Sequence, residues 1–343
     1  MPNRTTIVYI GNFLSSNKQN PAPNVILTEA LKETYNVFFA SAKLNVVIRF
    51  FDMVRCVLRH RSSKSIVIID VFSSLAFYFA VSISLLCRLI NQRYVLVLHG
   101  GDLPNRYKTS RKLCTTIFSN ALKVVSPSMY LKENTECVFP VSVMVISNPL
   151  NVRLYKPIQR TYAAPSLVWL RSFHAIYNPQ MAIHVLNHIR KDFPDASLLM
   201  IGPDKDGTMA ACKLLVESYH LEKFVEFTGF LEKPEMIRRA SECNIFINTT
   251  NFDNAPVTLL EALALGIPVI STNVGGIPYL VKNGQDAILV DPNDIDAMVN
   301  GITQVMHDTM LRNQLIKGGL ENILKRDIQQ VVKQWEIVLN ETL

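Results

Sequence analysis

The chain has 343 residues, enough for two domains of ordinary size, and 49% of them are hydrophobic, so each domain can bury a substantial core. Its charge is uneven: residues 1–160 hold 20 Lys and Arg against 7 Asp and Glu, a net charge of +13, and the remainder holds 15 against 21, a net charge of −6. The six cysteines have no paired spacing, which argues against a disulfide framework or a zinc site and favours a reducing compartment.

The basic first half favours an anionic partner, for which nucleic acid, anionic lipid and an acidic glycan all qualify by charge. The sequence shows no nucleic-acid motif and none of the aromatic interleaving that a single-strand groove needs, so we expect no nucleic-acid partner. The first residues lack the apolar length of a signal peptide, so we expect a cytoplasmic protein.

The first half alternates predicted strands with predicted helices. The predicted strands are 6–10, 65–70, 94–98, 121–125 and 143–146. A helix is predicted over 24–35, and the serines around Pro127 cap another. Residues 45–61 place apolar side chains at helical spacing with arginines between them. Such a basic amphipathic helix can lie on an anionic membrane surface, or it can pack on its own domain with the arginines in water, and both readings stay open.

Residues 71–87 are uncharged and could be taken for a membrane span. Serine pairs and a length near the lower limit weaken that interpretation. Because predicted strands lie on both sides, a buried crossover helix is the better prediction.

The second half repeats the alternation. Its predicted strands are 167–170, 197–201, 225–228, 244–248, 268–271 and 287–290. Alternating strands and helices indicate an α/β fold with two doubly wound, Rossmann-like sheets facing each other across a cleft. We predict a first domain over 1–158, a second over 159–326 and a terminal helix, 327–343, that packs back on the first. Ligands of such sheets bind at the carboxyl ends of strands.

The most informative segment runs from Asn251 to Ile270. A buried strand is followed by a loop carrying Asp253, and Pro256 suits the first position of a helix that ends at Gly266. The free N–H groups at that helix start can hold a phosphate. Glu261, about one turn in, can accept both hydroxyls of a ribose, and Asp253 can accept hydroxyls of a sugar. One nucleotide diphosphate sugar would satisfy all three elements.

This segment resembles the acid-x7-acid signature of the family 4 glycosyltransferases, which are retaining enzymes of the GT-B fold. The resemblance extends through Gly229-Phe230-Leu231, the Gly275-Gly276 turn and residues 145–149. The first acid of the family is usually Glu, whereas this chain has Asp253. The resemblance implies transfer of a hexose or N-acetylhexosamine to a hydroxyl of a glycan or lipid-linked glycan, in the assembly of surface polysaccharide or lipopolysaccharide.

The resemblance also implies roles for residues. Arg171 matches the Arg of the family's Gly-Arg-Leu motif and would clamp diphosphate oxygens. Members of the family carry a Lys a few residues after this Arg, whereas residues 176–178 of this chain contain no Lys. Lys205 is therefore a candidate replacement. The base would lie against Gly229, Phe230 and Leu231. The remaining donor candidates are the helix-start residues Asn254, Ala255, Pro256, Val257 and Thr258.

In the first half, His99 follows a predicted strand and precedes two glycines, so it can approach the sugar. Gly11 and Asn12 close the first strand and are candidates to face the diphosphate. We expect no metal and no cofactor beyond the nucleotide sugar, because Arg171 and the helix-start amides can stabilise the departing diphosphate.

Two alternatives stay open. A sugar-nucleotide epimerase of the same fold would bind the donor without an acceptor, and a catalytically degenerate subunit would bind it without turnover. Peripheral attachment to the inner face of the cell membrane is likewise an open expectation.

Overall fold

A computed structural model describes residues 4–13 and 21–342 of the chain. Residues 1–3, 14–20 and 343, which the predicted domains include, lie outside the described residues. The chain divides into two compact units. Within the described residues, one unit comprises 4–13, 21–150 and 326–342, and the other comprises 151–325.

The first unit is built on a six-stranded parallel sheet of order β2-β1-β3-β4-β5-β6. Its strands are β1 (Thr6–Ile10), β2 (Asn36–Ala40), β3 (Ser65–Val71), β4 (Tyr94–Leu98), β5 (Lys123–Ser126) and β6 (Val143–Val145). The five predicted strands are present. The edge strand β2 was not predicted, although its sequence NVFFA contains four apolar residues in a row, and three of its five residues are exposed.

Helices cover both faces of this sheet. They are α1 (Pro23–Leu31), α2 (Val46–Arg59), α3 (Phe77–Leu89), α4 (Leu103–Thr109), α5 (Arg111–Phe118), α6 (Met129–Glu136) and α14 (Ile328–Glu341). α3 connects the adjacent parallel strands β3 and β4, which is the predicted crossover. None of the described helices combines the length and apolar character needed to cross a bilayer.

The second unit has a parallel sheet of order β12-β11-β10-β7-β8-β9. Its strands are β7 (Ser166–Leu170), β8 (Ser197–Ile201), β9 (Val225–Gly229), β10 (Ile245–Asn248), β11 (Val269–Thr272) and β12 (Ile288–Val290). The helices are α7 (Pro179–Ile189), α8 (Thr208–Ser218), α9 (Lys233–Ser241), α10 (Val257–Ala264), α11 (Ile277–Leu280), α12 (Ile295–His307) and α13 (Thr309–Leu324). The strand order reverses between β7 and β10, which is where doubly wound sheets bind ligands.

The polypeptide leaves the first unit after Leu150, eight residues before the boundary expected at 158. Leu150 stays with the first unit because its N–H donates to Arg326 O at 3.2 Å and its carbonyl accepts from Ile328 N at 2.9 Å. These bonds tie the return segment to the first unit, and α14 buries Trp335 in the same core as β1 and β3.

Candidate functional site

Arg171 and Asp253 meet at the switch point of the second sheet. Arg171 directly follows β7, and Asp253 lies in the loop after β10, the strand that pairs with β7. Their side chains form an ion pair and are 18% and 13% exposed. Burial lowers the pKa of the Arg171 guanidinium, while the nearby Tyr177 and Glu261 oppose that shift. The pair therefore places one cation and one anion side by side in a largely dehydrated position.

The guanidinium of Arg171 is held from a second side. Its Cζ lies 4.3 Å from the ring centroid of Tyr177, a cation–π contact. Within the described part of the chain, its buried Nε has no hydrogen-bond partner. An unsatisfied N–H of a guanidinium is suited to bind an anionic oxygen.

Two glycines fix the backbone of the Asp253 loop. Gly276 N donates to Asp253 O at 2.9 Å, and a Cβ on Gly276 would lie 1.8 Å from Asn254 O. A Cβ on Gly275 would lie 2.1 Å from Asp253 O. Only glycine permits this approach of two backbones, so the Gly275-Gly276 turn positions the acid.

A third glycine packs against Arg171 from the neighbouring strand. Gly202 follows β8 with φ of 150°, and a Cβ there would lie 1.8 Å from Arg171 O. The loop that Gly202 begins carries Lys205, whose N–H donates to Phe173 O at 2.9 Å. The Lys205 side chain is exposed, and no salt bridge joins it to another described residue. Lys205 therefore lies on the loop next to Arg171 with its ammonium in solvent.

Glu261 is buried in α10, with 4% of its surface exposed. It forms an ion pair with Lys233, and the hydroxyl of Tyr155 donates a hydrogen bond to it. Burial, together with the Glu261 charge, raises the pKa of Tyr155 well above its usual value. Lys233 Nζ also lies 5.7 Å from the Tyr155 ring centroid, so the three side chains form one cluster.

Sequence reasoning missed Lys233 and Tyr155, because they lie 28 and 106 positions from Glu261. One signal was available for Lys233: it begins α9 directly after the segment Gly229-Phe230-Leu231 and Glu232. Gly229 has a φ of 68°, and its carbonyl accepts from Gly202 N at 2.9 Å. Phe230 and Leu231 are half-buried.

The start of α10 offers backbone donors. The helix begins at Val257, with Pro256 as the N-cap, so the prediction of Pro256 as the first helical residue is wrong by one position. The side chain of Pro256 makes no capping hydrogen bond. Asp253 Oδ1 accepts from Asn254 N at 2.8 Å instead, in the loop ahead of the helix that continues through Ala255. The N–H groups of its first turn, Thr258 included, face no capping side chain and suit an anion.

In the first unit, the predicted residues Gly11 and Asn12 surround a carboxylate that the sequence did not single out. Asp70, near the end of β3, is 4% exposed and accepts from Tyr9 Oη at 2.8 Å and Asn24 Nδ2 at 3.3 Å. A Cβ on Gly11 would lie 2.3 Å from Asp70 Oδ2, so glycine is required there. The Asn12 carbonyl accepts from Asn24 Nδ2 at 3.2 Å.

His99 also lies against Asp70. It follows β4, and its Nε2 lies 3.0 Å from Asp70 Oδ1. Its ring stacks on Phe72 with centroids 5.6 Å apart, and its side chain is 16% exposed. Asp70 and Phe72 therefore orient the imidazole. Among the described residues, no group of three His, Cys, Asp or Glu side chains is arranged to hold a metal ion.

Residues 166–321 match a protein-family model described as Glycosyl transferases group 1. Over 140 residues the chain is 30% identical to a putative colanic acid biosynthesis glycosyltransferase, WcaL, of Salmonella typhimurium, covering 38% of this chain and 34% of that protein. It is 24% identical over 237 residues to the N-acetyl-alpha-D-glucosaminyl L-malate synthase of Bacillus anthracis, covering 66% and 60%.

A third relative is the UDP-Gal:alpha-D-GlcNAc-diphosphoundecaprenol alpha-1,3-galactosyltransferase of Escherichia coli, 32% identical over 114 residues, covering 31% of this chain and 28% of that protein. The chain thus spans between about a quarter and three fifths of the length of these curated relatives. Each is named as a transferase or a synthase, and the epimerase alternative gains no support from them.

Two solved structures have the same fold over nearly the whole chain. Sucrose-phosphate synthase from Thermosynechococcus elongatus has a TM-score of 0.82 at 17% identity, covering 98% of this chain and 99% of that one. Anabaena HepE, crystallised with UDP and glucose, has a TM-score of 0.78 at 15% identity, covering 98% and 100%. At these identities the likeness shows the fold alone, which is the GT-B fold of two Rossmann-like domains, as predicted.

Proposed function

We propose that the protein is a retaining glycosyltransferase, because residues 166–321 match a family model described as Glycosyl transferases group 1. It would move a hexose or N-acetylhexosamine from a nucleotide diphosphate sugar to a hydroxyl of a glycan or lipid-linked glycan. The observation that carries the proposal is the Arg171–Asp253 ion pair at the carboxyl edge of the second sheet, with the Glu261 charge near enough to act on Arg171. The colanic acid and diphosphoundecaprenol relatives support a role in surface polysaccharide assembly.

The second unit would hold most of the donor. Glu261, fixed by its two donors, would accept the ribose hydroxyls, and the base would lie against Gly229 to Leu231. Arg171 and the free N–H groups of α10 would bind the diphosphate, with Lys205 as a further cation. Asp253 would accept sugar hydroxyls.

The reaction would need no metal, because the guanidinium and the helix amides neutralise the charge that develops on the leaving diphosphate. The bond between the anomeric carbon and the diphosphate oxygen breaks. The acceptor oxygen bonds the same carbon from the face that the leaving group vacates, and its proton passes to the departing diphosphate oxygen. His99, oriented by Asp70, would bind a sugar hydroxyl.

The test is a thermal-shift panel of UDP-, GDP- and ADP-sugars without metal, on the wild type and on Glu261→Ala. UDP-glucose comes first because Anabaena HepE was crystallised with UDP and glucose. A ligand at a hundred times its dissociation constant adds about 2.7 kcal/mol of stability. We expect one base to stabilise the wild type and not the variant. If no donor stabilises the wild type, the donor site is refuted.

A second measurement separates an enzyme from a degenerate binding subunit. A stabilising donor should be hydrolysed slowly by the wild type in the absence of acceptor, and Lys205→Ala should lower this turnover while the protein stays folded. Unchanged kinetics in Lys205→Ala would refute only the role of Lys205 and not the glycosyltransferase function. A donor that binds without any hydrolysis or transfer would favour the binding subunit.

A further inference from the structure

The helix α2 carries two apolar faces, not one. Its inner face is buried through Met53 and Val57, and Phe50 stacks on Phe79 of α3 with ring centroids 6.4 Å apart. In the sequence these apolar residues recur at helical spacing with arginines between them. The structure instead leaves part of that stripe in solvent, so packing on its own domain does not account for the whole helix.

The outer face begins at the first turn and runs along the helix. Val47, Phe51 and Leu58 are spaced by four and seven residues, which places them on one side. They are 61%, 64% and 49% exposed. The first turn and the residue before its cap add further exposed apolar side chains: Leu44 at 79%, Val46 at 62% and Ile48 at 56%. Contiguous exposure of this kind marks an interaction surface.

This outer face is held rigidly. Asn45 caps the helix by accepting from Val47 N at 3.0 Å and Ile48 N at 3.1 Å. Arg49 donates through Nε to Lys43 O at 2.7 Å and through Nη2 to Leu44 O at 3.3 Å. The exposed apolar residues therefore stand on an ordered helix start, so binding there costs little ordering entropy.

The charge beside this face identifies its partner. Arg55 and Arg59 are exposed and lie four and eight residues after Phe51, so they are on the same side of the helix. Over residues 34–69 the chain holds six Lys and Arg against a single acid, Asp52. A two-fold contact between copies of this chain would bring these arginines together, which is unfavourable. Apolar side chains flanked by arginines instead match the boundary between acyl chains and anionic headgroups.

We propose that the outer face of α2 binds an anionic lipid bilayer, with Val47, Phe51 and Leu58 entering the acyl boundary and Arg55 and Arg59 at the headgroups. The proposal deepens the proposed function by naming a partner, and it rests on that function only in that the bilayer would present the lipid-linked acceptor. Binding to the membrane and binding of the donor are measured separately.

The experiment is co-sedimentation with vesicles of phosphatidylcholine alone and of phosphatidylcholine with a quarter phosphatidylglycerol. We expect binding to the anionic vesicles only, and weaker binding when salt rises from about 0.1 M to about 1 M, which shortens the screening length from about 10 Å to about 3 Å. Arg55→Gln/Arg59→Gln should weaken binding about 30-fold, since each cation contributes about 1 kcal/mol at such a surface. Phe51→Glu should weaken it at least as much.

Matched controls come from the second unit. Lys191→Gln/Lys223→Gln removes the same two charges, and Leu214→Glu changes a leucine on α8 that is 66% exposed. Both should bind vesicles like the wild type. All variants should keep the wild-type melting temperature, which shows that they are folded.

Three outcomes would overturn the proposal. The first is a wild type that does not bind anionic vesicles. The second is a control that loses as much binding as the α2 variants. The third is a wild type that is dimeric by light scattering and that Phe51→Glu makes monomeric, with no vesicle binding, because the partner is then a second copy. None of these results bears on the donor site.

Discussion

The cluster of Glu261, Lys233 and Tyr155 allows a quantitative test of how the ribose acid is held. Removing one partner of a buried ion pair costs about 3–5 kcal/mol. Lys233→Met should cost about 3 kcal/mol, because Glu261 is buried but keeps the Tyr155 hydroxyl as a donor. Glu261→Gln should cost about 2 kcal/mol, because the Lys233 side chain is 22% exposed and its ammonium can turn towards water.

The two substitutions together should cost about 3 kcal/mol, not 5, because the second removes the charge that the first left unpaired. The expected coupling energy is therefore about 2 kcal/mol. The pair Lys317–Glu321 is the matched control. Its atoms lie 3.9 Å apart on side chains that are 80% and 65% exposed, so Lys317→Met/Glu321→Gln should show a coupling of only about 0.3–0.5 kcal/mol.

The assay is urea unfolding followed by tryptophan fluorescence. The chain has two tryptophans, and Trp169 is buried in the second unit. In a Trp335→Phe background, Trp169 alone reports on the unit that contains the cluster. If the effects of Lys233→Met and Glu261→Gln add to within about 0.5 kcal/mol, Lys233 does not hold Glu261 and the reasoning is refuted.

Three further predictions concern the same unit. Gly276→Ala should cost about 1–3 kcal/mol of stability and abolish transfer, because it displaces the loop that carries Asp253. The control is Gly284→Ala, which lies in open space at a φ of 72° and should cost about 1 kcal/mol and keep activity. Wild-type kinetics in Gly276→Ala would refute the packing argument. Asp253→Asn should lower kcat about 100-fold while nucleotide binding, measured by calorimetry, persists. If kcat and nucleotide affinity fall together, Asp253 acts in nucleotide binding instead. The Thr208 hydroxyl is the main group that holds the pKa of Asp206 below its usual value, so the ionised Asp206 stabilises the fold above pH about 3.9 and this stabilisation is lost as pH falls. In thermal melts, Asp206→Asn should therefore lose less stability than the wild type as pH falls. An unchanged dependence of the melting temperature on acid pH would contradict this.

The sequence predicted most of the fold because each buried parallel strand is a short apolar run between turn residues. The strands at 6–10, 94–98 and 197–201 have the predicted limits, and the ends of the other predicted strands differ by at most two residues. The edge strand β2 was missed although Val37 to Ala40 form such an apolar run. The two parallel sheets followed from alternation alone, since parallel strands need crossover helices.

The sequence therefore showed what lies within one strand-loop-helix segment: Arg171 and His99 directly follow strands, Asp253 lies in the loop after β10, and Glu261 lies in the helix after that loop. Tertiary structure decided the partners of these residues. Lys233, Tyr155 and Asp70 are distant in sequence from the groups they hold, so no local pattern marks them. The two faces of α2 were likewise decided by packing, because periodicity shows which residues share a side of a helix and not which of them another element covers.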